Sequence, residues 1–95
     1  MRRVHVSVTG TVQGVGYRYT LQHVAQRAGV TGWVRNLRDG SVDAEVEGED
    51  AAVDAVLDWM RQGPPGGHVT SAHVVELVPT PASAGTSSFE VRRDG

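Results

Sequence analysis

Cysteine and lysine are both missing from this chain of 95 residues, and each absence removes whole classes of chemistry. Without cysteine there is no disulfide framework, no thiol nucleophile and no thiolate metal site. Small secreted domains often depend on disulfides, so the expected compartment is the cytoplasm. Without lysine there is no P-loop of the G-x-x-x-x-G-K-[ST] type. The nine basic residues, all arginine, are outnumbered by eleven acidic ones, giving a net charge of −2, the wrong sign for attracting nucleic acid through the overall field. No segment approaches the ~20 apolar residues of a membrane span. Val4, Val6 and Val8 alternate with His5 and Ser7 where a signal peptide would be continuously apolar. Neither nucleic acid nor membrane is an expected partner, and an anionic ligand would need a local pocket. The four histidines, His5, His23, His68 and His73, are scattered without zinc-type spacing, so no metal and no cofactor is expected.

What remains is the profile of a folded globular domain. The length suits a single domain over residues 1–95, and the long Gly/Pro/Ser stretches are confined to residues 63–67 and 79–88, read as flexible connections. The alternation at residues 4–8 predicts a first strand with Val4, Val6 and Val8 buried. Leu21, Val24, Ala25 and Ala28 recur at helical spacing from near Arg18, with Gly29 placed to cap the end. Residues 30–37 read as a second strand, Arg38-Asp39-Gly40-Ser41 as a tight turn, and residues 42–47 as its hairpin partner. Asp50 is placed to cap a second helix striped by Val53, Val56, Leu57 and Met60 and ended by Gly63 and Pro64-Pro65. Residues 69–78 and 88–92 suggest two further strands.

This order predicts an α+β, ferredoxin-like (βαββαβ) sandwich, with a mostly antiparallel sheet, two helices on one face and a short additional C-terminal strand. Fold alone assigns no chemistry.

The segment between the first strand and the first helix does carry chemistry. In Thr11-Val12-Gln13-Gly14-Val15-Gly16-Tyr17-Arg18, Gly14 and Gly16 permit positive φ and let backbone N–H groups converge into an anion-binding nest. The loop empties into a helix N-terminus, whose unpaired N–H groups and partial positive charge favour phosphate. Arg18 adds a planar fork able to bind two phosphate oxygens. The Rossmann spacing G-x-G-x-x-G cannot be read from Gly14 and Gly16. On these residues alone an anion site and a plain glycine-rich βα turn with a surface arginine both stand.

The loop is paired with Gly32-Trp33-Val34-Arg35-Asn36. Together the two segments resemble the acylphosphatase family, whose signatures are a V-Q-G-V-x-[FY]-R loop and a G-W-V-x-N strand end. The resemblance runs over essentially the whole chain, with Tyr17 standing where the family often has phenylalanine. It implies an enzyme hydrolysing acyl phosphates to a carboxylate and inorganic phosphate, with phosphate as product and competitive inhibitor. Arg18 and Asn36 are implied as catalytic residues: Arg18 binds and orients the phosphate, and Asn36 positions the attacking water. The backbone of Gln13, Gly14, Val15, Gly16, Tyr17 and Arg18 is implied to surround the phosphate oxygens. The expected partner is thus a small-molecule acyl phosphate, acted on by a monomer.

Other residues are set aside. His5 and His23 read as ordinary solvated side chains. Asp43, Glu45 and Glu47 alternate with Val42, Ala44 and Val46 and read as the wet face of a strand rather than as paired acid/base carboxylates. Trp33 and Trp59 read as core or edge packing, with Trp33 a buttress for Asn36. Two rival functions remain: a non-catalytic ferredoxin-like anion- or ligand-binding module, and a carbamoyl-phosphate-handling domain of the kind found inside larger maturation enzymes. RNA recognition by such a fold uses aromatics exposed on the sheet, and residues 42–47 offer only small, branched and acidic side chains.

Overall fold

A computed structural model describes residues 1–81 and 88–95, so most of the connection expected at residues 79–88 lies outside the described residues. The elements are β1 (Arg2–Thr11), α1 (Tyr17–Ala28), β2 (Thr31–Asn36), β3 (Val42–Gly48), α2 (Asp50–Gln62), β4 (His68–Leu77) and β5 (Phe89–Val91). The sheet order is β4-β1-β3-β2-β5, antiparallel throughout except for the parallel pair β2 and β5. This is the ferredoxin-like α+β arrangement, with β5 added at one edge. No helix among the described residues is long and apolar enough to cross a membrane.

β1 extends beyond the alternating residues 4–8 because it is paired on both sides, with β3 and with β4. Backbone bonding continues where the side-chain pattern fades. Val4, Val6 and Val8 are fully buried beside Val34, Val42, Ala44 and Val46, and Leu21 and Ala25 of α1 and Val53, Val56 and Met60 of α2 close over them. Both helices thus bury their apolar stripes in one core with the even-numbered residues of β1, β2 and β3.

Asp50 is the first residue of α2 rather than its cap. Glu49 occupies the cap position, with no side-chain hydrogen bond, and its carbonyl accepts the Val53 N–H at 2.9 Å. An acid one position inside the helix still complements the positive end of the macrodipole.

The opposite face of the sheet is more tightly paired than a wet face. Asp43 is only 6% exposed; it contacts His5 and forms an ion pair at 3.5 Å with Arg35, which the register sets directly across from it. Glu45 accepts from Arg3 at 2.6 Å, and Glu47 accepts the Thr80 N–H at 2.6 Å. The reading of Asp43 as solvated is therefore corrected: the His5 ring and the Arg35 guanidinium on the neighbouring strands lie against its carboxylate. Trp33 belongs to this face, not to the core. The guanidinium carbons of Arg92 and Arg35 sit 4.8 and 5.2 Å from its ring centroid, an arrangement favoured by the negative face of the ring.

Candidate active site

The loop after β1 is shaped by its glycines. Gly14 and Gly16 adopt φ of 77° and 79°, the left-handed conformation that other residues reach only with strain. Gly16 is the N-cap of α1; it supplies no side-chain cap, and the first turn contains no acidic residue. The positive helix end is thus left without an internal anion. The Gly16 carbonyl accepts the Thr20 N–H at 3.0 Å, which starts the helix directly from the loop.

A cavity of about 150 Å³ opens at this end. It is lined by Val12, Gly14 and Gly16 of the loop, by Tyr17, Arg18 and Tyr19 of α1, and by Asn36 at the end of β2. Arg18 and Asn36, 18 positions apart in sequence, therefore share one cavity. The split βαβ topology accounts for this: β1 and β2 both run antiparallel to the β3 strand between them, so their C-terminal ends lie at the same end of the sheet. Asn36 is 7% exposed, and its Oδ1 is buried and accepts no hydrogen bond from the described residues. A buried amide oxygen without a partner is costly, and this one belongs to a residue of the cavity wall.

Arg18 keeps about a quarter of its side chain exposed, and its Nη1 donates to Asp94 Oδ1 at 3.0 Å. Among the described residues this is the only side chain it bonds, and the grip is through a single nitrogen. The guanidinium carbon lies 5.8 Å from the Tyr19 ring centroid, a contact with the flat face that leaves the in-plane N–H donors of the rest of the fork available to an anion.

For Tyr17, Val15 and Gln13, whose backbone is the expected contact, the side chains have partners of their own. Tyr17 is among the residues lining the cavity. Its side chain is 1% exposed, with the phenol donating to the Met60 carbonyl at 2.8 Å and the ring 5.1 Å from that of Trp59. Val15 packs against the core, and Gln13 turns its amide away from the cavity, donating to the Leu37 and Ser41 carbonyls at 2.7 and 2.8 Å. Two participants had no local signal. Tyr19, 65% exposed at the rim, is marked only by following Arg18. Asp94 reaches Arg18 because the chain beyond β5 continues beside β2: the Arg92 N–H donates to the Val34 carbonyl and the Gly95 N–H to the Asn36 carbonyl, both at 2.8 Å.

A larger cavity of about 250 Å³ lies on the other face of the sheet, among Arg3, Trp33, Glu45, Glu47 and Arg92. Arg3, Glu45 and Glu47 are already occupied by one another or by Thr80, and no helix terminus is among its walls. The smaller cavity has the better chemistry for phosphate. Among the described residues no group of three or more His, Cys, Asp or Glu side chains is arranged to hold a metal ion.

Residues 4–91 match the acylphosphatase family. An acylphosphatase of Methylococcus capsulatus is 48% identical over 94 residues, covering 99% of both chains. The solved acylphosphatase of Bacillus subtilis superposes with a TM-score of 0.90 at 33% identity, covering 97% of this chain and 99% of its own. That of Coxiella burnetii superposes at 0.88 with 34% identity, covering 96% and 92%. Fold, loop and extent of similarity agree, and the chain belongs to the acylphosphatase family.

Proposed function

We propose that this protein hydrolyses acyl phosphates in the cavity between Arg18 and Asn36. The observation that carries the reading is the unpartnered, buried Oδ1 of Asn36, a residue that lines one cavity together with Arg18 and the N-terminus of α1. The arginine and the helix end supply what a phosphate needs, and the amide oxygen supplies what a water beside that phosphate needs. A plain binding module would have no use for the second.

Arg18 takes two phosphate oxygens through its free fork, and the N–H groups of the loop and the first turn of α1 surround the remainder. Asn36 Oδ1 accepts a hydrogen from the attacking water and turns a lone pair toward phosphorus. The new P–O bond forms as the bond to the acyl oxygen breaks, its electron pair leaving with the carboxylate. Because that leaving group is a weak base, no acid needs to protonate it, and catalysis rests on positioning and on stabilising charge over the phosphoryl oxygens. Asn36 is neutral and cannot act as the base, so the water's proton passes to a phosphate oxygen of the substrate or to solvent.

The purified protein, a monomer of the cytoplasm on this reading, should hydrolyse benzoyl phosphate in the presence of a chelator, with inorganic phosphate as a competitive inhibitor. A folded protein that leaves benzoyl phosphate intact would favour the ligand-binding alternative. Activity lost to the chelator and restored by metal would overturn the metal-independent mechanism.

A further inference from the structure

The Gln13 side chain joins the two halves of the site. Its Nε2 donates to the Leu37 carbonyl at 2.7 Å and to the Ser41 carbonyl at 2.8 Å, and these carbonyls stand at the mouth of the turn between β2 and β3. The turn has internal bonds of its own. The Leu37 N–H donates to the Ser41 carbonyl at 2.9 Å, the Gly40 N–H donates to the Leu37 carbonyl at 3.2 Å, and the Asp39 carboxylate accepts both the N–H and the hydroxyl of Ser41. Gln13 is thus not needed to close the turn. It fastens the phosphate loop to a turn that is already closed, at the residue next to Asn36.

We propose that Gln13 is a positioning residue, a clasp that sets the phosphate loop in register with Asn36, so that the water held by Asn36 faces the phosphorus of a phosphate held by the loop. The inference rests on the roles given above to Arg18 and Asn36. A primary amide suits this task because it offers two N–H donors from one nitrogen, and two carbonyls receive them. Both donors being engaged, the amide nitrogen has none left for substrate, and Gln13 is not among the residues lining the cavity. On the far side of Asn36 its own carbonyl is held by the Gly95 N–H at 2.8 Å. The end of β2 is therefore anchored on two sides, and of these two anchors among the described residues Gln13 is the one that belongs to the phosphate loop.

A clasp between two binding elements affects their alignment and not the strength of either alone. Gln13→Met, close in size and without donors, should lower kcat for benzoyl phosphate by about ten- to a hundredfold, the usual effect of a small misplacement of reacting groups. KM and the inhibition constant of inorganic phosphate should stay within about twofold. The effect should also depend on Asn36. In an Asn36→Ala background, where no water is held, Gln13→Met should cause no further loss.

Three results would overturn the proposal: a phosphate inhibition constant that rises in step with the fall in kcat, which would make Gln13 part of phosphate binding; equal losses in the two backgrounds, which would separate it from Asn36; or a lower melting temperature with unchanged kcat, which would make it purely structural. The Asn36→Ala variant alone tests the underlying reading, because full activity there removes the water-holding role whatever Gln13 does. Should the methionine variant fail to fold, Gln13→Asn keeps the amide, shortens its reach and permits the same comparisons.

Discussion

Asp94 Oδ1 lies 3.0 Å from Nη1 of Arg18, so the cation proposed to meet the phosphate is held by a carboxylate close to the C-terminus. Asp94 is itself well exposed, and an exposed ion pair is worth about 0–1 kcal/mol. Asp94→Ala should therefore leave kcat unchanged. KM for benzoyl phosphate and the inhibition constant of phosphate should both rise by less than about fivefold, as the released guanidinium samples more positions. A rise of hundredfold or more in steady-state assays would mean that the bridge does much more than steady the side chain.

Arg18 and Asn36 should separate binding from turnover. Arg18→Ala should abolish measurable hydrolysis together with inhibition by phosphate. Asn36→Ala should reduce kcat by about 10²–10³, the range for removing one preorganised group, while phosphate still inhibits. Calorimetric titration with phosphate checks the binding half independently of rate, and an Asn36→Ala enzyme with full kcat would remove the water-holding role.

The fold was legible because its signals are local and periodic: valines at every second position of β1, apolar residues at every third or fourth position of each helix, and Asp39-Gly40 at the hairpin. The left-handed turns at Gly14 and Gly16 were legible for the same reason, since their requirement lies in the residue itself. Side-chain partners were not. Asp43 sits in an alternating acidic strand that looks solvated, and only the register of three strands places it among His5 and Arg35. Asp94 is one charge in an arginine-rich end until the backbone bonds beyond β5 carry it to Arg18. Gln13 belongs to the phosphate-loop motif, but the motif gave no direction for its amide. Each of these depends on distances between segments far apart in sequence, which no local pattern encodes.

Two glycines near the site should respond differently to alanine. At Gly16 an added Cβ finds nothing closer than Thr20 Oγ1 at 3.9 Å, so the cost is the left-handed backbone alone, about 1–2 kcal/mol. Gly16→Ala should fold with a melting temperature lowered by about 4–15 °C, and should lose phosphate affinity if the cap turns its N–H groups aside. At Gly32, φ is 139° and an added Cβ would meet the Glu45 carbonyl oxygen at 1.9 Å, inside the pairing of β2 with β3. Backbone cannot yield as a flexible side chain can, and Gly32→Ala should lose more than about 4 kcal/mol, the range that marks a severe clash. Thermal denaturation of the two variants side by side tests the contrast, and equal losses would contradict it.

Tyr17 ties the start of α1 to the end of α2, and the tie should be visible as a pH dependence. Its phenol donates to the Met60 carbonyl at 2.8 Å, one of the last carbonyls of α2 that lacks a partner within its own helix. Burial pushes the phenol pKa above its ordinary value, because the charged phenolate would be stranded away from water. A raised folded-state pKa stabilises the fold fully below the unfolded pKa of about 10, and that stabilisation is lost progressively as pH rises from there through the higher folded-state value. Tyr17→Phe keeps the ring and removes both the bond and the proton. It should cost about 1 kcal/mol at neutral pH, and the gap to the parent protein should narrow as pH rises above about 10. Urea unfolding at pH 7 and at pH 11 measures both ends of this range. A gap that stayed constant would mean that the phenol does not contribute through its proton, and the link between the two helices would then rest on the ring contact with Trp59 alone.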